Sequence, residues 1–304
     1  MDARMLPLPF QPAGLPGLSD KLLLSHHQNN YGGAVKRLNA IRAQLAATPA
    51  ASLSGFALNG LKREELIATN SMLLHELYFA SLGGAGQAMV PAMALALSAS
   101  FGSEAAWRDE FVAMGRALGG GSGWVLLSFQ PREGTLVNQW ASDHGHALAG
   151  GVPLLALDMY EHAYHLDHGA AAGAYVDAFM SHIDWAAVYA RYQQAVDAAS
   201  EAFAAGPEQV DGALLLDVRR AGVYAQAGTR IPGAQWRDPA AVGQWAAGLP
   251  SDRPLLVYCV YGHEVGRATA MRLRAAGLDA QFLRGGIDGW ASAGRPLVDK
   301  GEAS

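Results

Sequence analysis

The 304 residues predict two domains of different class, and three observations carry that reading. Apolar residues recur at helical spacing over long stretches up to about residue 205, with a few strand candidates among them. Gly206-Pro207 then punctuates the chain. Downstream, short apolar strands alternate with helices, the pattern of a small parallel α/β domain. The boundary is expected near 203–210, dividing the chain into 1–205 and 206–304. Within the first unit, 1–85 reads as a helical hairpin and 86–205 as a mixed α/β part.

The elements follow in order. Residues 18–46 read as one long helix, since Leu22, Leu23, His26, Tyr31, Ala34, Val35, Leu38, Ile41 and Leu45 recur at helical spacing. Ser19-Asp20 offers an N-cap. Residues 61–82 form a second helix that stops at Gly83-Gly84. Helical character returns over 87–118, broken near Gly102. Residues 124–129, 135–141 and 152–157 are strand candidates, followed by helical character from about 175 to 205. In the second unit, 214–218, 255–259 and 281–283 read as strands, and 266–276 as a helix. Gly119–Gly123 precedes a strand rather than linking a strand to a helix, so it fails the context of a phosphate-binding loop.

Composition narrows the function. Apolar residues make up 51% and charged residues 16%, which excludes a largely disordered chain. The formal charge is −5. Residues 1–205 hold 11 basic and 17 acidic side chains, against 11 and 10 in the remainder. No basic stripe points to nucleic acid as a partner. The longest apolar stretch, 88–98, contains Pro91 and is too short to span a bilayer, so no membrane partner is expected. The first residues, Met1-Asp2-Ala3-Arg4, lack an apolar segment, and no signal peptide is expected. Cys259 is the single cysteine, so no intrachain disulfide can form. A cytoplasmic location is the expectation.

Of ten histidines, nine precede residue 183. Asp158 ends an apolar strand and His162 follows four residues later, which brings a carboxylate and an imidazole to the mouth of that strand. His26 lies on the first long helix and His75 on the second, and two antiparallel helices can bring them together. The surrounding motifs are specific. They are His26 with Leu38-Asn39, His75-Glu76-Leu77-Tyr78-Phe79, Phe101-Gly102-Ser103, Gly121-Ser122-Gly123-Trp124, Asp158-Met159-Tyr160-Glu161-His162-Ala163-Tyr164, and Tyr175-Val176 ahead of Asp184-Trp185. In this order, residues 6–203 resemble the iron/manganese superoxide dismutase family. The resemblance implies a helical hairpin, then an α/β unit with a three-stranded antiparallel sheet and a metal between them. It implies His26, His75, Asp158 and His162 as the ligands of one iron or manganese ion, superoxide as the substrate, and a homodimer with Glu161, His165 and Asn30 near its interface. Three imidazoles and one carboxylate form a mixed N/O set that suits either metal.

Several positions depart from that family. Its gateway His and Tyr, four and eight residues after the first ligand, are here Asn30 and Ala34. In an α-helix, Tyr31 lies about 140° from His26 and is not expected to replace the phenol. The second Tyr of the Glu-His-Ala-Tyr-Tyr motif is His165. The Gln that iron-type members carry before the second ligand is Ser71. His144 is the first choice to bond the metal-bound solvent and His146 the second. A His in that role occurs among iron members, so iron is expected ahead of manganese. Trp124 and Tyr160 are expected to wall the site. The missing gateway residues leave open a sensor or scaffold that binds metal and cycles slowly, and a hydrolytic zinc enzyme is a third reading.

Cys259 follows a strand and precedes a helix, a turn that aims backbone N–H groups at a sulfur. Its neighbours Leu215-Leu216-Asp217-Val218-Arg219, Ile231-Pro232-Gly233-Ala234 and Leu283-Arg284-Gly285-Gly286-Ile287-Asp288-Gly289-Trp290 make residues 207–297 resemble a single rhodanese domain. The resemblance implies that Cys259 accepts sulfur from a donor such as thiosulfate, cradled by residues 260–264. Glu264 replaces a common Arg and is expected to weaken capture of an anionic donor. An inactive binding module is the alternative. The segment around 204–207 is short, so the domains should sit close, with their two sites expected to act independently.

Overall fold

In the computed structural model, which describes residues 2–84 and 86–301, side-chain caps set where the main helices begin. Ser19 accepts from the Leu22 N–H and opens α1 (Asp20–Ser25). Ser54, Ser103 and Asp184 cap α3 (Gly55–Ala80), α5 (Glu104–Ala117) and α8 (Trp185–Ser200) in the same way. Pro91 opens α4 (Pro91–Phe101), which ends at Gly102 with φ +86°. Ala85, the expected edge of the hairpin, lies outside the described residues, as do Met1 and 302–304.

The first long helix is not uniform. Between α1 and α2 (Gly32–Ala47) the backbone of His26–Tyr31 forms a π-helical turn. Bonding from i to i+5 brings residues five apart closer in phase than an α-helix does, and both His26 and Tyr31 are buried. Helix α3 begins six residues before the expected position because Ser54 supplies a cap that the apolar pattern does not mark. The two helices pack along each other, with Leu38, Ile41 and Ala68 closing the hairpin.

Strands β1 (Trp124–Gln130), β2 (Thr135–Ala141) and β3 (Val152–Asp158) form an antiparallel sheet in the order β2-β1-β3. Trp124 pairs with Ala141 on one side and with Asp158 on the other. That register puts Trp124 and Asp158 side by side at the sheet end nearest α3. A short α6 (His165–His168) and α7 (Ala172–Ser181) follow, and the chain breaks at 182–184 before α8. The expected continuous helix is divided there because Asp184 caps a new one. Trp107, Phe111, Phe129 and Phe179 lie in the main core of this part.

The second part is a parallel sheet in the order β4-β9-β8-β5-β7. Its strands and helices, in chain order, are β4 (Ala204–Ala205), β5 (Leu214–Asp217), α9 (Ala221–Gln226), β6 (Thr229–Arg230), β7 (Gln235–Trp236), α10 (Val242–Trp245), β8 (Leu255–Tyr258), α11 (Glu264–Ala275), β9 (Ala280–Leu283), α12 (Gly286–Ser292) and β10 (Val298–Asp299). β6 and β10 pair apart from that sheet. The strands β4 and β7 have two residues each, too short for a sequence period to reveal. Helix α11 packs on α8 of the first part. Arg272 on α11 donates to the Ala99 and Gly134 carbonyls and to Ser100 Oγ, at 2.8–3.0 Å. No described helix is long and apolar enough to cross a membrane.

Candidate functional site

Four side chains from three separate regions converge where α3 meets the end of β3. His26 comes from the π turn, His75 from the last third of α3, Asp158 from the end of β3, and His162 from the turn that follows it. The potential ligand atoms of all four lie within 4.8 Å of one another. His26 Nε2 and His162 Nε2 stand 3.1 and 3.2 Å from Asp158 Oδ2, and His75 Nε2 stands 3.6 Å from it. His75 Nε2 and His162 Nε2 are 3.4 Å apart. Four donors about 2.1 Å from one ion at tetrahedral angles are spaced about 3.4 Å apart, so the set has the size of a metal-binding site.

The surroundings prepare these atoms. The Ser71 carbonyl accepts from His75 Nδ1–H at 2.6 Å, which leaves the Nε2 lone pair facing the other three groups. Asp158 Oδ1 accepts from the Tyr160 N–H at 2.9 Å, and the Asp158 carbonyl accepts from the Tyr175 hydroxyl at 2.8 Å. Burial pushes His75 down to about 3 and lowers His26 as well. Burial alone would raise the Asp158 carboxyl, yet His162 and His26 hold it well below the usual carboxylate range. Uncharged imidazoles beside an ionised carboxylate are the protonation states that a cation needs.

His144 faces the same centre, its ring 6.0 Å from that of His75. Trp124, fully buried, donates its indole N–H to His144 Nδ1 at 2.9 Å. In the neutral ring this leaves the proton on Nε2. Asn70 Nδ2 holds the His144 carbonyl at 2.6 Å. Tyr160 stacks between His144 and His162, 4.7 and 5.3 Å from their rings, and burial pushes its phenol up to about 12. His146 is placed elsewhere. It is exposed and bonds Asp143 and Ser142.

A cleft of about 290 Å³ leads to His75, His162 and His144. Its walls include Asn30, Gly33, Ala34 and Arg37. Tyr31 is not among the residues that line it. The Tyr31 hydroxyl accepts from the Leu6 N–H and donates to Glu76, each at 2.8 Å, so the phenol missing at Ala34 is not restored. Arg37 went unnoticed in the sequence. It lies seven residues after Asn30 and three after Ala34, so helical phase offered a signal. Glu161 and His165 are exposed, and Asn30 is half-buried.

The second site is local in sequence. Cys259 follows β8, and the N–H groups of Ile287 and Asp288 bond the carbonyls of Cys259 and Val260 at 3.0 Å. Gly262 has φ +72°, and a Cβ there would lie 2.6 Å from Gly285 N, so the loop requires glycine. Burial raises the thiol, while the N–H groups of Gly266, Gly262 and His263 pull it the other way. Under this loop the Tyr258 hydroxyl and the Arg219 guanidinium both bond Asp217. The Glu264 carboxylate accepts from Tyr189 and Gln193 of α8, and its charge adds to the upward push on the thiol.

The chain matches two sequence families. Residues 89–191 match the iron/manganese superoxide dismutases, C-terminal domain, and residues 196–293 match the rhodanese-like domain. A superoxide dismutase [Fe] of Cupriavidus metallidurans is 63% identical over 192 residues, covering 63% of this chain and 97% of that protein. A superoxide dismutase [Mn] 1 of Haloferax volcanii is 35% identical over 199 residues, covering 64% and 98%. A superoxide dismutase [Fe] of Aquifex pyrophilus is 33% identical over 199 residues, covering 62% and 91%.

Proposed function

From the premise that this chain belongs to the iron/manganese superoxide dismutase family, we propose that it converts superoxide to dioxygen and hydrogen peroxide. The observation that carries the reading is the convergence of His26, His75, Asp158 and His162 within 4.8 Å. These four would hold the ion. Iron is the assignment, since the relative sharing 63% identity is named for iron, while a manganese relative lies at 35%. When bound, the ion supplies the one-electron exchange by which two superoxide anions and two protons become one dioxygen and one hydrogen peroxide.

The protein's own groups do the rest. Arg37 at the cleft wall draws the anion inward. His144, oriented by Trp124, presents an N–H to solvent beside the ligands, and Tyr160 packs against it to exclude further water. The division of labour between 1–205 and 206–304, the homodimer through Glu161, His165 and Asn30, and the cytoplasmic location belong to the same proposal. The sensor reading is not favoured at this level of identity. The deciding measurement pairs metal content with dismutation rate. Metal-replete protein no faster than the free ion would end the proposal.

The second unit adds sulfur transfer in this reading. The Cys259 thiolate attacks the outer sulfur of a donor such as thiosulfate, the S–S bond breaks, and sulfite leaves with the electron pair. The resulting persulfide passes its sulfur to an acceptor nucleophile. Thiosulfate-to-cyanide transfer that disappears in Cys259→Ser is the expected signature.

A further inference from the structure

Helix α8 carries a polar stripe on one face: Tyr189, Gln193, Asp197 and Ser200, at the three- and four-residue steps of a helix. The stripe faces α11, and its partners lie in and around the Cys259 loop rather than on the far side of the rhodanese-like unit. Glu264, only 6% exposed, is the first residue of α11. Its Oε1 accepts from the Tyr189 hydroxyl at 2.9 Å and its Oε2 from Gln193 Nε2 at 3.2 Å. Arg267, one turn later, donates from Nε to the Gly262 carbonyl at 2.9 Å. It reaches back from Nη1 to Ser200 and Glu201 at 3.2 and 3.0 Å, and pairs with Asp197 at 3.1 Å.

Glu264, inside the turn 262–266, and Arg267, just after it, are therefore both tied to a helix of the other unit. This turn is what surrounds the sulfur. A Cβ at Gly266 would lie 3.4 Å from Cys259 Sγ, so the first turn of α11 lies directly against the thiol. A buried carboxylate is costly without donors, and here both donors come from the dismutase part. They fix the position of a negative charge that acts on the Cys259 thiol.

We infer that α8 of the dismutase part is a component of the sulfur-transfer site, with Tyr189 and Gln193 as positioning residues that hold the Glu264 carboxylate against α8. This rests on the sulfurtransferase reading for its turnover measurement only, and it replaces the expectation that the sulfur site acts independently.

The test uses the full-length, metal-loaded protein and a Tyr189→Phe/Gln193→Leu double variant. Thiosulfate-to-cyanide transfer, the rate of Cys259 alkylation by iodoacetamide and the dismutation rate are measured together. With its donors removed, the Glu264 carboxylate can swing toward the Cys259 thiol. The expected result is a thiosulfate KM raised about ten-fold, with a smaller fall in kcat and alkylation slowed about three-fold. Dismutation stays within about two-fold, since neither residue touches the metal cluster. Adding Glu264→Gln to the double variant removes the charge and should return KM toward its starting value, a rescue that simple loss of packing would not allow. Unchanged KM and alkylation in the double variant, or no return on adding Glu264→Gln, would overturn the inference. If the unsubstituted protein transfers no sulfur, the sulfurtransferase reading fails, and alkylation alone then decides the positioning role. Should the double variant not accumulate, Gln193→Leu alone carries the same expectation at smaller size.

Discussion

The candidate metal cluster and the cysteine loop are built in opposite ways. The cluster gathers His26, His75, Asp158 and His162 from positions spread over more than a hundred residues, yet all belong to the first unit. The cysteine loop takes its chemistry from eight consecutive residues, 259–266, but borrows its support from α8 of the other unit. A site assembled from distant residues is stable only where the core beneath it is rigid, and here the core of Trp124, Tyr78 and Tyr175 is fully buried. A local loop keeps its backbone geometry cheaply but leaves its charged neighbours to be settled by whatever packs against it. Long-range construction and dependence on the partner unit are thus separate properties.

Breaking the cluster should have the largest effect. Asp158→Ala removes the one anionic group of the proposed ligand set and leaves three facing imidazoles. Bound metal and dismutation should fall by about 100-fold or more, measured by elemental analysis alongside the rate. Retention of stoichiometric metal would contradict the ligand set, while sulfur transfer at Cys259 should be unaffected.

His144→Ala probes the group behind the ligands. Metal should remain, with dismutation slowed roughly ten- to hundred-fold. The same change at His146, which is exposed, should have no measurable effect. Equal losses at both positions would mean that the cleft geometry does not describe the working site.

Acid should act on the cluster before it acts on the loop. His75 has a folded-state value of about 3 against an ordinary 6.5. Between those values the unfolded chain binds more protons, so stability is complete above pH 6.5 and is lost as the pH falls toward 3. Denaturant unfolding of metal-free protein should show a loss of roughly a few kcal/mol over that window. His75→Gln should flatten the dependence, and an unchanged slope would remove His75 as its source.

The joint between the units is the next level. Arg272→Met deletes three hydrogen bonds across it and should cost about 2 kcal/mol of docking. The readout is separation of one thermal transition into two. The smallest effect is expected at the cleft wall. Arg37 also pairs with Glu64 at the surface, which partly neutralises it. Arg37→Ala should lower kcat/KM for superoxide only about two- to five-fold, with a weaker salt dependence than the unsubstituted protein.

Much of this molecule was legible in the residues themselves. The helical hairpin, the three strands of the first sheet and the break at Gly102 follow apolar spacing and glycine punctuation that need no tertiary information. The candidate ligands were readable through motif resemblance, because Asp158 and His162 lie four apart beside a strand end and each helix of the hairpin offers one His in its family setting. What local pattern did not show is the π turn that carries Tyr31. Bonding from i to i+5 leaves no mark in the spacing of apolar residues.

Other features had no sequence signal because they depend on surfaces that meet only in the folded chain. The proton position on His144 follows from an indole 20 residues away in sequence. The direction of the Glu264 carboxylate follows from Tyr189 and Gln193, more than 70 residues earlier. Residue type and spacing determined by themselves that the chain has two units and one cysteine in a strand-to-helix turn, and motif resemblance supplied the metal-suited donor set. Only tertiary packing decided which ring nitrogens face the candidate metal site and which donors a buried charge meets. Those choices are made by desolvation and by the donors that packing supplies, and neither exists before distant segments exclude water from between them.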